Sequence, residues 1–291
     1  MNSDKKFRKM LEPGVIKGVP LRNRVVSAPM GTEYSLRDGT VTARLMDYYE
    51  AKAKGGAGLI IVEYAHIDEK ASMAIECQLG VYDKACIVGL TRLTEVMQHQ
   101  GAKTCLQLVH CGATKYGSFP AVAPSREPFL KSGMKGDSVP EELSLQETEE
   151  IIEEFGEAGI RAKQAGFDMI EIHGAHGYLI TQFLSPLTNW RTDRYGGSLE
   201  KRMCFGIDVV STVQKKVGAE FPVGIRLSGT EYREGGISIE DTIAFSQELE
   251  RLGIAYLHLS GGDAVAIHTQ VTPSYLPVGF NVWAAEAVKK T

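Results

Sequence analysis

The chain has 291 residues, enough for one large domain or two small ones with a substantial core. Hydrophobic residues make up 43% and charged residues 23%, an ordinary globular balance, and the net charge of −4 argues against a nucleic-acid-binding surface. No apolar run approaches the ~18 residues of a membrane helix, the N-terminus MNSDKKFRKM has no apolar signal core, and Cys77, Cys86, Cys105, Cys111 and Cys204 lack zinc or iron–sulfur spacing, so a cytoplasmic protein with free thiols is expected.

NRVVSAPM (23–30) reads as the first strand. One pattern then recurs: a charged segment of helical period ends at a glycine, and a short apolar run follows. It occurs in 46–63, 90–110, 155–173, 209–228 and 245–260. A glycine after the last helical turn takes the left-handed C-cap conformation without a Cβ clash. The apolar runs do not alternate, as expected of strands covered on both faces. Six strands alternating with helices imply parallel βα units and favour a (β/α)8 TIM barrel over an open doubly wound sheet, since no Rossmann glycine fingerprint follows the first strand. FNVWAAEAVKKT (280–291) reads as the sixth helix. A complete barrel has eight strands, so the expectation is one barrel domain over 1–291, truncated after about six βα units and lacking strands seven and eight.

Two stretches break the rhythm. Residues 110–145 are rich in Gly, Pro and Ser, have no helical period and would lie over the C-terminal face of a barrel, where active sites form. Residues 177–197 form a second excursion. A helix then starts at Ser144, with Glu147 three residues on as a capping box.

Chemistry-bearing residues gather at the strand ends. In SAPMGTEY (27–34), Pro29 and Gly31 suit close backbone approach to a flat ligand and Met30 is a soft partner for an aromatic ring; an ordinary turn with a buried methionine is the alternative. Gln107, inside CLQLVHCG (105–112), has an amide suited to a ring of alternating N–H and C=O groups, or is a self-satisfied core amide. EIHGAHGYLITQFLSP (171–186) carries His173, His176 and Tyr178. Two imidazoles can donate to one substrate oxygen, and a phenol stays protonated at neutral pH and can deliver a proton. With no local carboxylate or thiol to complete a ligand set, no metal is expected. Arg226 in GIRLSG (224–229) calls for an anionic partner, either a structural carboxylate or the negative edge of a reduced flavin. In YLHLSGGDAVAIHTQ (256–270), Ser260, Gly261 and Gly262 suggest a phosphate nest, and His258 and His268 are further acid–base candidates.

These residues carry a resemblance. LRNRVVSAPMGT, GLIIVEYAHI, CLQLVHCG, the run from Gly166 to Phe205, and GIRLSG are similar to the old yellow enzyme flavin oxidoreductases, in the branch of 2-enoate, 2,4-dienoyl-CoA and bile-acid enone reductases. The likeness covers nearly all of residues 8–290. It implies FMN as cofactor, NADH or NADPH as reductant, and reduction of the C=C bond of an enoate, enone or enoyl-CoA by hydride transfer from reduced FMN. It places Ala28, Pro29, Met30 and Gly31 along the flavin, Gln107 at its pyrimidine edge and Arg226 at its N1/O2 edge, with Tyr64 where the family often has a smaller residue. His173 and His176 would hold the substrate oxygen, Tyr178 would donate the proton, and His268 would be a second donor. Relatives in this branch continue into a 4Fe–4S segment and FAD- and NAD-binding domains, whose sites are not in this sequence. The isolated chain is therefore expected to hold FMN weakly and fold poorly. The alternatives are an amine or steroid dehydrogenase on the same scaffold and a catalytically inactive barrel fragment; a barrel aldolase would need a strand-end lysine, and none of the six strands has one. Neither nucleic acid nor membrane is expected as a partner, and a homo-oligomer is compatible with the sequence.

Overall fold

The structure is a computed structural model that describes residues 7–115, 120–131, 133 and 138–291. A short helix α1 (Arg8–Leu11) leads into an antiparallel hairpin of β1 (Gly14–Ile16) and β2 (Val19–Leu21). Six strands follow in one parallel sheet: β3 (Val26–Ser27), β4 (Leu59–His66), β5 (Lys103–Val109), β8 (Met169–Gly174), β9 (Val223–Ser228) and β10 (Leu257–Ser260). Their spatial order is their order along the chain, as the consecutive staves of a (β/α)8 barrel require. The helices α2 (Ala43–Lys54), α3 (Cys86–Gln98), α5 (Leu145–Gln164), α7 (Leu199–Val217) and α8 (Ile239–Arg251) each precede the next strand, and α10 (Val282–Lys289) follows the last.

The helices bury one stripe against the outer face of the curled sheet. Leu45 and Tyr49 of α2, Leu90 and Leu93 of α3, Phe155 of α5 and Val209 of α7 join Ile60, Val62, Leu106, Leu108, Ile170 and Ile225 in a single apolar layer. A smaller cluster fills the inside of the sheet near its N-terminal end: Leu59, Ile61, Cys105 and Met169, closed from below by Leu21 with Ile16 and Val19 of the hairpin. This double burial is why the strands show no hydrophobic alternation. The helix-ending glycines behave as their positions suggest: Gly56, Gly101, Gly166, Gly218 and Gly253 all have φ between 73° and 96°. Ser144 and Glu147 close the expected capping box on α5.

Three local expectations need correction. The stretch 110–145 is not a plain loop. It contains a 3-10 turn (Gly112–Thr114), a parallel pair formed by β6 (Val122–Ala123) and β7 (Glu141–Glu142), and the helix α4 (Arg126–Lys131), while residues 116–119, 132 and 134–137 of it lie outside the described residues. The excursion 177–197 opens with α6 (Leu179–Leu184), all of whose residues are buried. The first strand is shorter than its apolar run, because only Val26 and Ser27 pair with β4.

β3 and β10 are the two edges of the sheet. Between them lies a cavity of about 300 Å³ lined by Val26, Ala28, Ile61, Tyr256, His258 and Leu259, among others. Among the described residues no helix is long and apolar enough to cross a membrane. α9 (Ile267–Gln270) is a single turn after β10.

Candidate active site

Alternate residues of a strand face one side. The parallel register therefore sets whole rows side by side inside the sheet. Gln107 is opposite Glu171, His173 is opposite Arg226, and Arg226 is opposite His258. Two residues nearer the N-terminal end of the same strands stand Cys105, Met169, Gly224 and Tyr256. The ring of Tyr256 occupies the space that a Cβ on Gly224 would enter, at 2.3 Å.

The polar row is wired. Gln107 Nε2 donates to Glu171 Oε1 at 2.6 Å, and His258 Nδ1 meets Glu171 Oε2 at 3.0 Å. A carboxylate only accepts, so the Gln107 amide must turn its NH2 toward Glu171. Its Oε1 is then left buried with no partner. Arg226 donates from Nη2 to Ser260 Oγ at 3.3 Å, while its Nε is a second buried orphan. Among the described residues no carboxylate lies within ion-pair reach of Arg226. An unpaired acceptor and an unpaired guanidinium N–H, buried in neighbouring rows, are costly unless a ligand meets them.

At the C-terminal rim the aromatic groups converge. A bulge in β4 turns Tyr64 toward the mouth: Val62 pairs with Leu106 and Ala65 with Leu108, so β4 spends one residue more than β5 over the same span. The Tyr64 ring lies 6.1 Å from that of His173 and 5.8 Å from that of Tyr178. His173 packs edge-on to Tyr178 at 4.8 Å and to His176 at 5.0 Å. Gly31 makes room for this arrangement, since a Cβ there would sit 2.8 Å from the Tyr64 hydroxyl. His176 has φ +66°, a left-handed conformation that costs a non-glycine residue of order 1–3 kcal/mol. Its backbone N–H donates to Ser228 Oγ at 3.1 Å, and its Nε2 meets Ser260 Oγ at 2.7 Å.

Burial sets the protonation states. It lowers the pKa of both His173 and His176 well below the usual histidine value, with Arg226 and the neighbouring histidines adding to the effect. Both rings are neutral at physiological pH. The Ala175 N–H donates to His173 Nδ1 at 3.2 Å, which puts the proton of His173 on Nε2. Burial pushes the Tyr178 hydroxyl up to about 12, so it enters any reaction as a proton donor.

The sequence expectations fare unevenly. Gln107, His173, His176, Tyr178, Tyr64 and Arg226 come together at one end of the barrel. Ala28, Met30 and Gly31 are exposed, Met30 by 51%, and Ala28 lines the cavity between the sheet edges, whereas Pro29 is buried. His268 does not join the cluster: it is exposed on α9 and makes no hydrogen bond or ring contact with it. The suggested phosphate nest is also corrected, because the Gly262 N–H is committed to the Thr230 carbonyl and the Gly262 carbonyl accepts from Ser228. Glu171 and Ser228 were not anticipated, and Ser260 was expected only as part of the nest. Glu171 was findable, since it stands two residues before His173 on the same strand and must share its face.

The donor set fits a flavin. Gln107 presents a carbonyl oxygen in need of an N–H, Arg226 presents a cation in need of an acceptor, and Ala28 shares a cavity with His258, the neighbour of Arg226 in the sheet.

The sequence profile of the NADH:flavin oxidoreductase / NADH oxidase family matches residues 9–286, and the chain belongs to that family. It is 41% identical over 288 residues to an NADH oxidase of Thermoanaerobacter brockii, covering 98% of this chain and 44% of the relative. It superposes on 2-naphthoyl-CoA reductase in complex with 2-naphthoyl-CoA with a TM-score of 0.89 at 26% identity, over 98% of this chain and 45% of that one. Morphinone reductase in complex with tetrahydroNAD matches with a TM-score of 0.78 at 31% identity, over 97% of this chain and 77% of that one. The chain thus spans less than half the length of the first two of these proteins.

Proposed function

We propose that the chain is an FMN-binding barrel that takes electrons from NADH or NADPH and reduces the C=C bond of an α,β-unsaturated carbonyl, carboxylate or acyl-CoA. The observation that carries this reading is the convergence of two neutral imidazoles and a protonated phenol, with ring centres of His176 and Tyr178 5.0 and 4.8 Å from that of His173, which itself stands opposite Arg226. Its family and the named chemistry of 2-naphthoyl-CoA reductase and morphinone reductase support it.

Bound FMN supplies the hydride. The rest falls to this chain. Gln107 Oε1 and the Arg226 guanidinium hold the pyrimidine edge, and Ala28, Met30 and Gly31 lie along the ring. The Nε2–H of His173 and an N–H of His176 donate to the substrate oxygen and strengthen as negative charge grows there. Being neutral, they polarise that oxygen without protonating it. Tyr178 delivers a proton to the α-carbon. Tyr64, beside Tyr178, narrows the mouth.

The test is anaerobic. Photoreduced, flavin-loaded protein is mixed with cinnamate, a dienoyl-CoA and a steroid enone. Reoxidation by at least one of them is expected, slowed roughly 10²–10³-fold in His173→Ala. If none reoxidises the protein, the reductase reading is wrong.

A further inference from the structure

We propose that Ser260 is a positioning residue whose hydroxyl donates to His176 Nε2 and so fixes the proton of that imidazole on Nδ1, the tautomer opposite to that of His173. The argument is a count of protons. A guanidinium can only donate, so the Arg226 Nη2–H directed at Ser260, 3.3 Å away, must be received by Oγ. Ser260 has one hydroxyl proton to place. Among the described residues its only side-chain acceptor within reach is His176 Nε2 at 2.7 Å. With Nε2 protonated instead, two donors would meet at Oγ and the hydroxyl proton would have no acceptor. The arrangement that satisfies every group puts the His176 proton on Nδ1.

On the neighbouring ring the order is reversed. The Ala175 N–H donates to His173 Nδ1 at 3.2 Å, so His173 carries its proton on Nε2. Among the described residues neither His173 Nε2 nor His176 Nδ1 has a hydrogen-bond partner, and neither is among the sealed, unsatisfied atoms. Two rings 5.0 Å apart, three residues apart on one turn, thus each keep a free N–H for the mouth only because their tautomers differ. Ser228 and Ser260 sit opposite each other on β9 and β10. One holds the strained backbone of His176 and the other its ring, so the proton on His176 depends on β10 lying in register against β9.

That the freed N–H groups hold a substrate oxygen rests on the reductase reading; the tautomer does not. It is read directly on protein labelled with 15N-histidine, by long-range 1H–15N correlation without flavin or substrate. The His176 signals are assigned by their loss in His176→Gln. In the wild type the Nδ1–H form of His176 is expected to outweigh Nε2–H by roughly tenfold, the size of one hydrogen bond, with His173 in the reverse sense. Ser260→Ala should cut the His176 ratio by roughly tenfold, and Ser260→Thr, which keeps the hydroxyl, should restore it. An Nε2–H form of His176 in the wild type overturns the proposal. So does an unchanged ratio in a folded Ser260→Ala protein. Should that variant not fold, the wild-type and Ser260→Thr spectra decide. A normal tautomer pattern with no alkene reduction would sink the reductase reading and leave this inference standing.

Discussion

The lower and upper halves of the barrel interior are built from the same strands and differ in almost everything else. Below lie Leu59, Ile61, Cys105, Met169 and the ring of Tyr256 over Gly224. Higher on the same strands lie Gln107, Glu171 and His258, joined by hydrogen bonds, with His173 and Arg226 beside them, and two buried atoms of this group are left unpaired. The lower layer is self-sufficient, while the upper one is complete only with a ligand. The division follows the barrel rule that stability concentrates at the N-terminal end and chemistry at the C-terminal end.

That division can be broken most sharply from above. Tyr178→Phe keeps the buried ring and removes the proton. Turnover should fall by about 10²–10⁴-fold while the melting curve stays in place, and a comparable loss of melting temperature would show that the rim is structural after all. The lower layer should answer in the opposite way. Met169→Ala leaves a cavity and is expected to cost about 2–5 kcal/mol in a denaturant titration, with activity per folded molecule retained.

Acid should separate the halves next. Burial lowers His110, just past the end of β5, to about 4, and lowers His173 and His176 in the same direction. The unfolded chain therefore takes up protons first. The stability these histidines allow is whole above about pH 6.5 and falls as the pH drops toward the folded value, by up to about 1.4 kcal/mol per pH unit for each. Glu231, pushed up to about 7 by burial, runs the other way: the fold is weakened as the pH rises from about 4.5 to 7. The difference between wild type and His110→Gln cancels that opposing group. Denaturant curves from pH 7 to 5 should show a shallower acid loss in the variant, and parallel curves would exclude a buried neutral His110. The smallest effect is expected at the base, where Lys103 pairs with Asp168 at 2.7 Å. Lys103→Met should cost no more than about 1 kcal/mol and leave turnover alone.

Much of this was legible in the sequence. The glycine-ended helices and non-alternating apolar runs define six βα units without help, because both signals come from local sterics and from burial on two faces. Gln107, His173 and Arg226 stood out as polar breaks in apolar runs. What stayed hidden needed a neighbour. Ser260 matters because β10 lies beside β9, which no spacing within its own strand reveals. The small strand pair β6–β7 and helix α4 were masked by a Gly- and Pro-rich composition whose order comes from packing rather than periodicity. That His268 lies exposed on α9 was hidden too, because a short turn after a strand gives no sign of where it leads.

The extra residue in β4 decides which side chain looks into the mouth. With it, Glu63 leaves the row and accepts from Thr32 and from Tyr49 of α2, and the phenol of Tyr64 takes the inward place. Deleting Ala65, just past the bulge, would restore plain alternation, turn the phenol outward and bring Glu63 in to face the paired imidazoles. One backbone irregularity thus sets the charge of the entrance, where a neutral hydroxyl stands in place of an anion.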